Sequence, residues 1–169
     1  MLFRSLKHPS GHIGPALIGL VTDALSGEPL TLHRTWVNSN GSKAAIERPR
    51  LLLAGHRKQG GVIRLWPDEE VTNGLALAEG IETALAAAFA FTPIWSCIDA
   101  GNLATLPLLN GICALTIFAD HDEAGIIGAR SLAQRWADAG REVYITTPFE
   151  AGADINDVLA ISHERIRKN

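Results

Sequence analysis

The second half of the chain alternates between short apolar segments and segments of helical character, and this alternation constrains the fold most strongly. The apolar segments are LALAEG, PIWSCID, ALTIFAD and REVYITTP. The helical segments are IETALAAAFAF, NLATLPLL, EAGIIGARSLAQRWADAG (closed by Gly140) and DINDVLAISHERIRK. Strands that alternate with helices predict βαβ units, and strands that are apolar throughout predict a sheet buried on both faces. The expected fold is therefore α/β, with a parallel sheet of about four strands flanked by helices.

The first half of the chain has a different pattern. Its β-like segments are PALIGLVTD, LTLHRTWVN and GVIRLWP, and they are separated by the turn-forming segments SGEP, NSNG and GHRKQGG. This pattern predicts a small antiparallel sheet, while the connecting stretch AAIERPRLLLAG is ambiguous. We therefore predict two domains: a β-rich N-terminal subdomain over residues 1–70 and an α/β domain over residues 71–169.

Composition argues against several classes of protein. With 169 residues, 47% hydrophobic content and a formal net charge of −3, the chain can bury a core and lacks the basic excess of a nucleic-acid coat protein. Its two cysteines, Cys97 and Cys113, form no CxxC pair, which argues against a cysteine zinc site. Glu79 and Glu82 interrupt the longest apolar region, so no membrane span is expected, and the N-terminus lacks a signal peptide. These features predict a cytoplasmic protein without a membrane partner.

Acidic residues follow each of the predicted parallel strands. They are Glu79, Asp99, Asp120 with Asp122, and Asp154. Since the carboxyl ends of parallel strands meet at one edge of the sheet, at least four of these acids can project into one crevice. Asp120 and Asp122 are two residues apart and point to the same side of an extended segment, whereas His121 points away.

Carboxylates gathered in this way favour a metal ion. They repel one another unless a cation neutralises them, and oxygen ligands without a cysteine or histidine cluster suit Mg²⁺ or Mn²⁺. Such ions are the usual partners of phosphate groups in phosphoryl transfer. Helix capping is the alternative: Asp120 or Asp122 can cap the helix that begins near Glu123, and Asp154 can cap the last helix. Asp99 is expected to be a turn or cap residue.

Three motifs in order, LALAEGIETALAA, IFADHDEAG and GADINDVLA, resemble the Toprim domain. That domain is shared by bacterial primases, topoisomerases and some nucleases. The resemblance is nearest to the primase-like Toprim proteins of phages, plasmids and integrated mobile elements, which serve DNA replication.

This resemblance implies roles for individual residues. The implied metal ligands are Glu79, Asp120, Asp122 and Asp154. The implied supporting residues are Asp157 and Asn156. Glu82, which is expected within a helix about one turn beyond Glu79, has at most a supporting role by its position. Glu79 also matches the Toprim glutamate that acts as a general acid or base, whereas the role of the Asn156–Asp157 pair cannot be separated from helix capping.

The first half of the chain resembles the β-rich region that precedes the Toprim catalytic domain in primase-like proteins. In bacterial primases a comparable subdomain borders the groove for template and product. The resemblance therefore implies that Arg34, Lys43 and Arg64 contact phosphate groups in a nucleic-acid groove. The alternative is that these three are solvated charges on a small sheet.

The resemblance implies a Mg²⁺- or Mn²⁺-dependent enzyme of nucleic-acid phosphoryl transfer. We expect a minimal primase-type nucleotidyltransferase core that acts on single-stranded DNA and nucleoside triphosphates, with a separate helicase or template-binding chain as a further partner. Two alternatives stay open: a Toprim metal-dependent nuclease, and a non-catalytic Toprim protein that binds nucleic acid or a partner. A topoisomerase is not expected, because the single tyrosine, Tyr144, falls in the middle of a predicted strand.

Overall fold

One mixed sheet of nine strands organises residues 1–148, the part of the chain that the computed structural model describes. The strands are β1 (Leu2–Lys7), β2 (Ile13–Asp23), β3 (Pro29–Trp36), β4 (Arg50–Leu52), β5 (Gly61–Arg64), β6 (Gly74–Ala78), β7 (Ile94–Ser96), β8 (Ala114–Phe118) and β9 (Glu142–Thr146). The α-helices are α1 (Ile81–Ala87), α2 (Ala100–Thr105) and α3 (Glu123–Asp138), and a 3₁₀ turn spans Asp68–Glu70. The strand order is β4-β3-β2-β5-β7-β6-β8-β9, with β1 also paired to β2.

The N-terminal half of the sheet is antiparallel, as its short β-like segments and turn-forming connections predict. β2 pairs with β1, β3 and β5, and β3 pairs with β4. The β2–β3 turn is held by Asp23, whose Oδ1 accepts hydrogen bonds from the backbone N–H groups of Leu25 and Ser26. The Ser26 N–H and the Arg57 guanidinium lower the pKa of Asp23 to about 2, against the opposing effect of burial. β1 was not predicted, and β4 lies in the stretch that was ambiguous.

The C-terminal half of the sheet is parallel, which confirms the predicted α/β class. β6 pairs in parallel with β7 and β8, and β8 pairs in parallel with β9. One face packs under α2 and α3, with Leu103, Leu132 and Trp136 against Leu77 and Ile117 in one apolar cluster. The other face packs under α1, where a second cluster joins small residues of β6 and α1 to a phenylalanine of β8. That cluster contains Ala76, Ala78, Ala84, Ala87, Ile94 and Phe118.

The helix α1 is shorter than the sequence pattern suggests. It ends at Ala87, and the chain then turns through an exposed Phe89 before it enters β7. Pro93 stands just before β7, and a proline keeps the residue before it out of helical geometry. Helix propensity alone would extend α1 to residue 91, but the helix ends at Ala87 because the chain must return to the sheet at β7.

The antiparallel and parallel halves join through β5 and β7. Ile63 of β5 pairs with Ser96 of β7, in antiparallel sense. The buried side chain of Asn102 bridges the same junction: its Oδ1 accepts from the Gly60 N–H at 2.9 Å, and its Nδ2 donates to the Gly61 carbonyl. The sheet is thus continuous across the predicted boundary near residue 70, and the division into two domains stays a prediction.

Two further expectations concern the last predicted helix and a membrane span. The predicted last helix, within residues 154–168, lies outside the described residues. Among residues 1–148, no helix has the length and apolar character needed to cross a membrane.

Candidate active site

A cleft of about 430 Å³ lies at the carboxyl ends of the parallel strands. One wall carries acidic side chains from the loops after β6, β7 and β8. The other wall is formed by β3, β4 and the segment before β4, and it carries basic side chains. The acidic residues are Glu79, Asp99, Asp120 and Asp122, and the basic residues are His33, Lys43 and Arg50. Glu82 also lines the cleft, from α1.

Glu79 follows β6 directly, is partly buried and lines the cleft. Its Oε2 is buried and has no hydrogen-bond partner. Burial, followed by the negative charges of Asp120 and Asp122, raises the pKa of Glu79 to about 7. A carboxyl group with this pKa exchanges a proton near neutral pH, as general acid–base chemistry requires.

Asp120 and Asp122 follow β8 and both line the cleft. Asp120 Oδ1 accepts a hydrogen bond from Thr83 Oγ1 at 3.2 Å. Asp122 is the N-cap of α3, because its Oδ1 accepts from the Gly125 N–H at 2.8 Å. Asp122 therefore has the capping role weighed from the sequence while it also faces the cleft. His121, between them, borders a separate cavity.

Asp99 is the N-cap of α2, as expected. Its Oδ1 accepts from the Asn102 N–H at 2.9 Å, and its Oδ2 pairs with Lys58 Nζ. Both carboxylate oxygens of Asp99 thus have protein partners. Its position in the cleft is explained by capping and by this ion pair.

The three basic candidates from the sequence differ in what they contact. Lys43 lines the cleft and forms an ion pair with Glu82. Arg34 donates to the Leu52 carbonyl at 3.0 Å and lies over the ring of Trp36. Neither Arg34 nor Arg64 is among the described residues that line the cleft.

Arg64 is engaged on several sides. Its guanidinium donates to Thr22 Oγ1, to the backbone carbonyls of Asp23 and Ala24, and to Asp68 Oδ1. The same group lies 4.5 Å from the centre of the Trp95 ring, a cation–π arrangement. These contacts describe a structural residue that joins β5 to its neighbours.

Three polar residues of the cleft were missed from the sequence: His33, Arg50 and Thr83. His33 is a buried residue of an otherwise ordinary strand, and burial lowers its pKa. Arg50 begins β4, in the stretch whose structure was ambiguous. For Thr83 the sequence has one local signal. In the motif EGIET this hydroxyl residue comes directly after Glu82 and four residues after Glu79.

The donor set of this cleft fits a hard divalent cation, although residues 1–148 do not by themselves form a metal site. Within that range no three His, Cys, Asp or Glu side chains converge closely enough to hold a metal ion. Glu79 nevertheless has a buried, unpartnered oxygen and feels the charges of Asp120 and Asp122, and an oxygen-only set suits Mg²⁺ or Mn²⁺. Asp154, Asn156 and Asp157 lie outside the described residues.

Comparison with protein families decides the classification. The family profile described as Toprim domain matches residues 74–162, which is more than half of the chain. The chain belongs to the Toprim domain family. Residues 3–65, ahead of the Toprim domain, match a domain of unknown function (DUF7146).

Solved structures share the fold of this Toprim protein along nearly its whole length. A DNA primase domain from Pseudomonas aeruginosa is similar with a TM-score of 0.57 and 12% identity, over 96% of this chain and 55% of that one. The Aquifex aeolicus primase (zinc-binding and RNA polymerase domains) gives a TM-score of 0.59 and 14% identity, over 98% and 43%. The primase fragment of the bacteriophage T7 primase-helicase gives 0.58 and 17%, over 95% and 63%.

These likenesses establish the fold of the chain. The chain spans less than two thirds of each of the three structures. No curated protein matches the sequence.

Proposed function

We propose that this chain is a divalent-metal-dependent enzyme of nucleic-acid phosphoryl transfer. In this proposal it is a minimal primase-type nucleotidyltransferase core, which joins nucleoside triphosphates on a single-stranded DNA template. One observation carries the proposal: Glu79, with a buried unpartnered oxygen and a pKa near 7, faces Lys43 and Arg50 across one cleft. Membership of the Toprim family and the likeness to primase structures support it.

The acidic wall is suited to hold the metal. Glu79, Asp120 and Asp122 are the described residues that would bind Mg²⁺ or Mn²⁺, and Asp154 joins them by its place in the family motif. When bound, the ion neutralises phosphate charge and stabilises the charge that develops during transfer. Asp122 is held in position by its bond to the Gly125 N–H.

The two remaining tasks are proton transfer and phosphate binding. The Glu79 carboxylate takes the proton of the attacking 3′-hydroxyl, because it lines the cleft opposite the phosphate-binding side chains. Lys43 and Arg50, on the opposite wall, bind phosphate oxygens of the nucleotide or the template. In the same proposal, a separate helicase or template-binding chain selects the template, and the protein acts in the cytoplasm.

The test is an extension assay with single-stranded DNA, nucleoside triphosphates and Mg²⁺ or Mn²⁺. Glu79→Gln and Asp120→Asn should each reduce extension by at least about a hundredfold, the usual loss when a general base or charge stabiliser is removed. Glu70→Gln, an exposed change outside the cleft, is the matched control and should retain activity. Unchanged extension by the two cleft variants would refute the proposal.

The same reaction without nucleotides separates the proposed activity from its alternatives. Cleavage of labelled DNA in the presence of Mn²⁺ alone would assign the site to a nuclease, because the same acids can direct water at a phosphodiester. A calorimetric titration in which neither Mg²⁺ nor Mn²⁺ binds, even with DNA present, would leave a non-catalytic binding protein.

A further inference from the structure

Glu82 lies between two cations of the opposite wall. Its Oε1 is 3.8 Å from Lys43 Nζ, and its Oε2 is 3.6 Å from Arg50 NH1. Both separations exceed hydrogen-bond length, and Oε1 is buried without a hydrogen-bond partner. Glu82 therefore compensates the charge of both cations without a directed bond to either one.

The same wall has an unused polar group. His33 is only 5% exposed, lines the cleft, and has an Nδ1 atom without a hydrogen-bond partner. With Lys43 and Arg50 it brings a lysine, an arginine and an imidazole to one side of the cleft. Lysine and arginine side chains together favour a phosphate group, which accepts several charge-assisted hydrogen bonds at once.

We propose that Glu82 is a built-in competitor for phosphate, which occupies the anion position between Lys43 and Arg50 when no ligand is bound. A phosphate group of a nucleotide or nucleic acid takes over the two cations, and His33 contacts it from the buried side. This inference rests on the proposed function, because it names the wall of the same cleft that receives phosphate.

The strength of this competition follows from the geometry. The two ion pairs are long, and the side chains of Lys43 and Arg50 are 43% and 47% exposed, so each contact is weak and easily exchanged. Glu82 therefore sets the affinity for phosphate and does not block the site. Ligands with several adjacent phosphates overcome the competition, whereas a single weakly charged anion does not.

The test measures binding of inorganic tripolyphosphate in EDTA, so that no divalent metal and no catalysis are involved. Glu82→Gln keeps the shape of the side chain and removes its charge. It should bind tripolyphosphate about fivefold more tightly than the unaltered protein, the factor expected when two weak, exposed ion pairs no longer compete for Lys43 and Arg50. Glu70→Gln changes the net charge equally at a residue that does not line the cleft, and it should leave the affinity unchanged.

A double-mutant cycle identifies the partners of Glu82. In a Lys43→Ala, Arg50→Ala background, Glu82→Gln should no longer increase the affinity, because the two cations for which Glu82 and phosphate compete are absent. Equal or weaker binding by Glu82→Gln, an equal gain in Glu70→Gln, or no binding by any of these proteins would overturn the inference. The extension assay measures metal-dependent catalysis and this titration measures metal-free phosphate binding, so failure of one proposal can be told apart from failure of the other.

Discussion

Gly125, at the start of α3, lies directly against Glu79. A Cβ atom at position 125 would be 3.0 Å from Glu79 Oε2 and 2.6 Å from the backbone oxygen of Asp120. The first turn of α3 can approach Glu79 and the Asp120 backbone this closely only because residue 125 has no side chain. The glycine of the FADHDEAG segment therefore positions the helix on which Asp122 acts as cap.

Gly125→Ala should impair the site. The Asp120 carbonyl belongs to the backbone and cannot rotate away, so α3 must shift from Glu79, at a cost of about 1–3 kcal/mol in the free energy of unfolding. We expect this loss in urea denaturation, together with at least a tenfold loss of metal-dependent activity. Gly101→Ala is the control, because its Cβ would meet Asp99 Oδ1 at an ordinary 3.5 Å. Wild-type activity in Gly125→Ala would show that the close approach is unnecessary.

Two substitutions at Asp122 separate its cap from its charge. Asn is as good an N-cap as Asp, so Asp122→Asn should keep the unfolding free energy within about 0.5 kcal/mol. Asp122→Ala should lose about 1 kcal/mol, because the Gly125 N–H loses its acceptor. Both variants should bind Mn²⁺ more weakly in calorimetry. If Asp122→Asn binds Mn²⁺ like the unaltered protein, then capping is the whole role of this residue.

The raised pKa of Glu79 predicts a dependence of stability on pH. The folded state holds the proton with a pKa of about 7, against an ordinary value of 4.5, so the folded state binds it more tightly than the unfolded state. The resulting stabilisation is complete below pH 4.5 and is lost as the pH rises through 7. In EDTA, the loss should be about 2 kcal/mol after allowance for partial exposure.

Denaturation at several pH values, with Glu79→Gln for comparison, measures this effect. The variant cannot ionise at position 79, so its stability should change less between pH 4.5 and 7 than that of the unaltered protein. Glu70→Gln should show the same change of unfolding free energy with pH as the unaltered protein. Identical slopes in Glu79→Gln and the unaltered protein would mean that Glu79 titrates normally.

Lys43 and Arg64 should behave in opposite ways when each is replaced by alanine. Arg64→Ala removes several hydrogen bonds and the contact with the Trp95 ring, so the unfolding free energy should fall by about 2–3 kcal/mol. Its folded fraction should bind single-stranded DNA normally. Lys43→Ala should leave stability almost unchanged and weaken DNA binding, with a smaller salt dependence. Equal effects on DNA affinity in the two variants would contradict this division.

The sequence predicts most elements of the sheet because an apolar strand is visible without knowledge of its partners. β6 and β8 are examples, since their runs are apolar and end at acidic residues. β1 escapes this reasoning because LFRSLK mixes charges with apolar residues and is mostly exposed. Its place in the sheet depends on backbone pairing with β2, which no side-chain pattern records.

The residues of the candidate site also differ in whether the sequence predicts them. Glu79, Asp120 and Asp122 could be predicted because they stand at strand ends, whose location follows from parallel topology. Arg50 and His33 could not, because their approach to these acids depends on the pairing of β5 with β7, a contact between distant segments. Charge alone also could not distinguish Lys43, which lines the cleft, from Arg64, whose guanidinium is hydrogen-bonded within the protein.

The junction between β5 and β7 also determines how the protein can be shortened. β5 has β2 on one side and β7 on the other, so a cut near residue 70 would leave β5 as the edge of one fragment and β7 as the edge of the next. Each fragment would present unpaired backbone N–H and C=O groups, the usual template for aggregation. The boundary that is plainest in the amino-acid pattern is therefore a poor place to truncate, and the two halves should be expressed together.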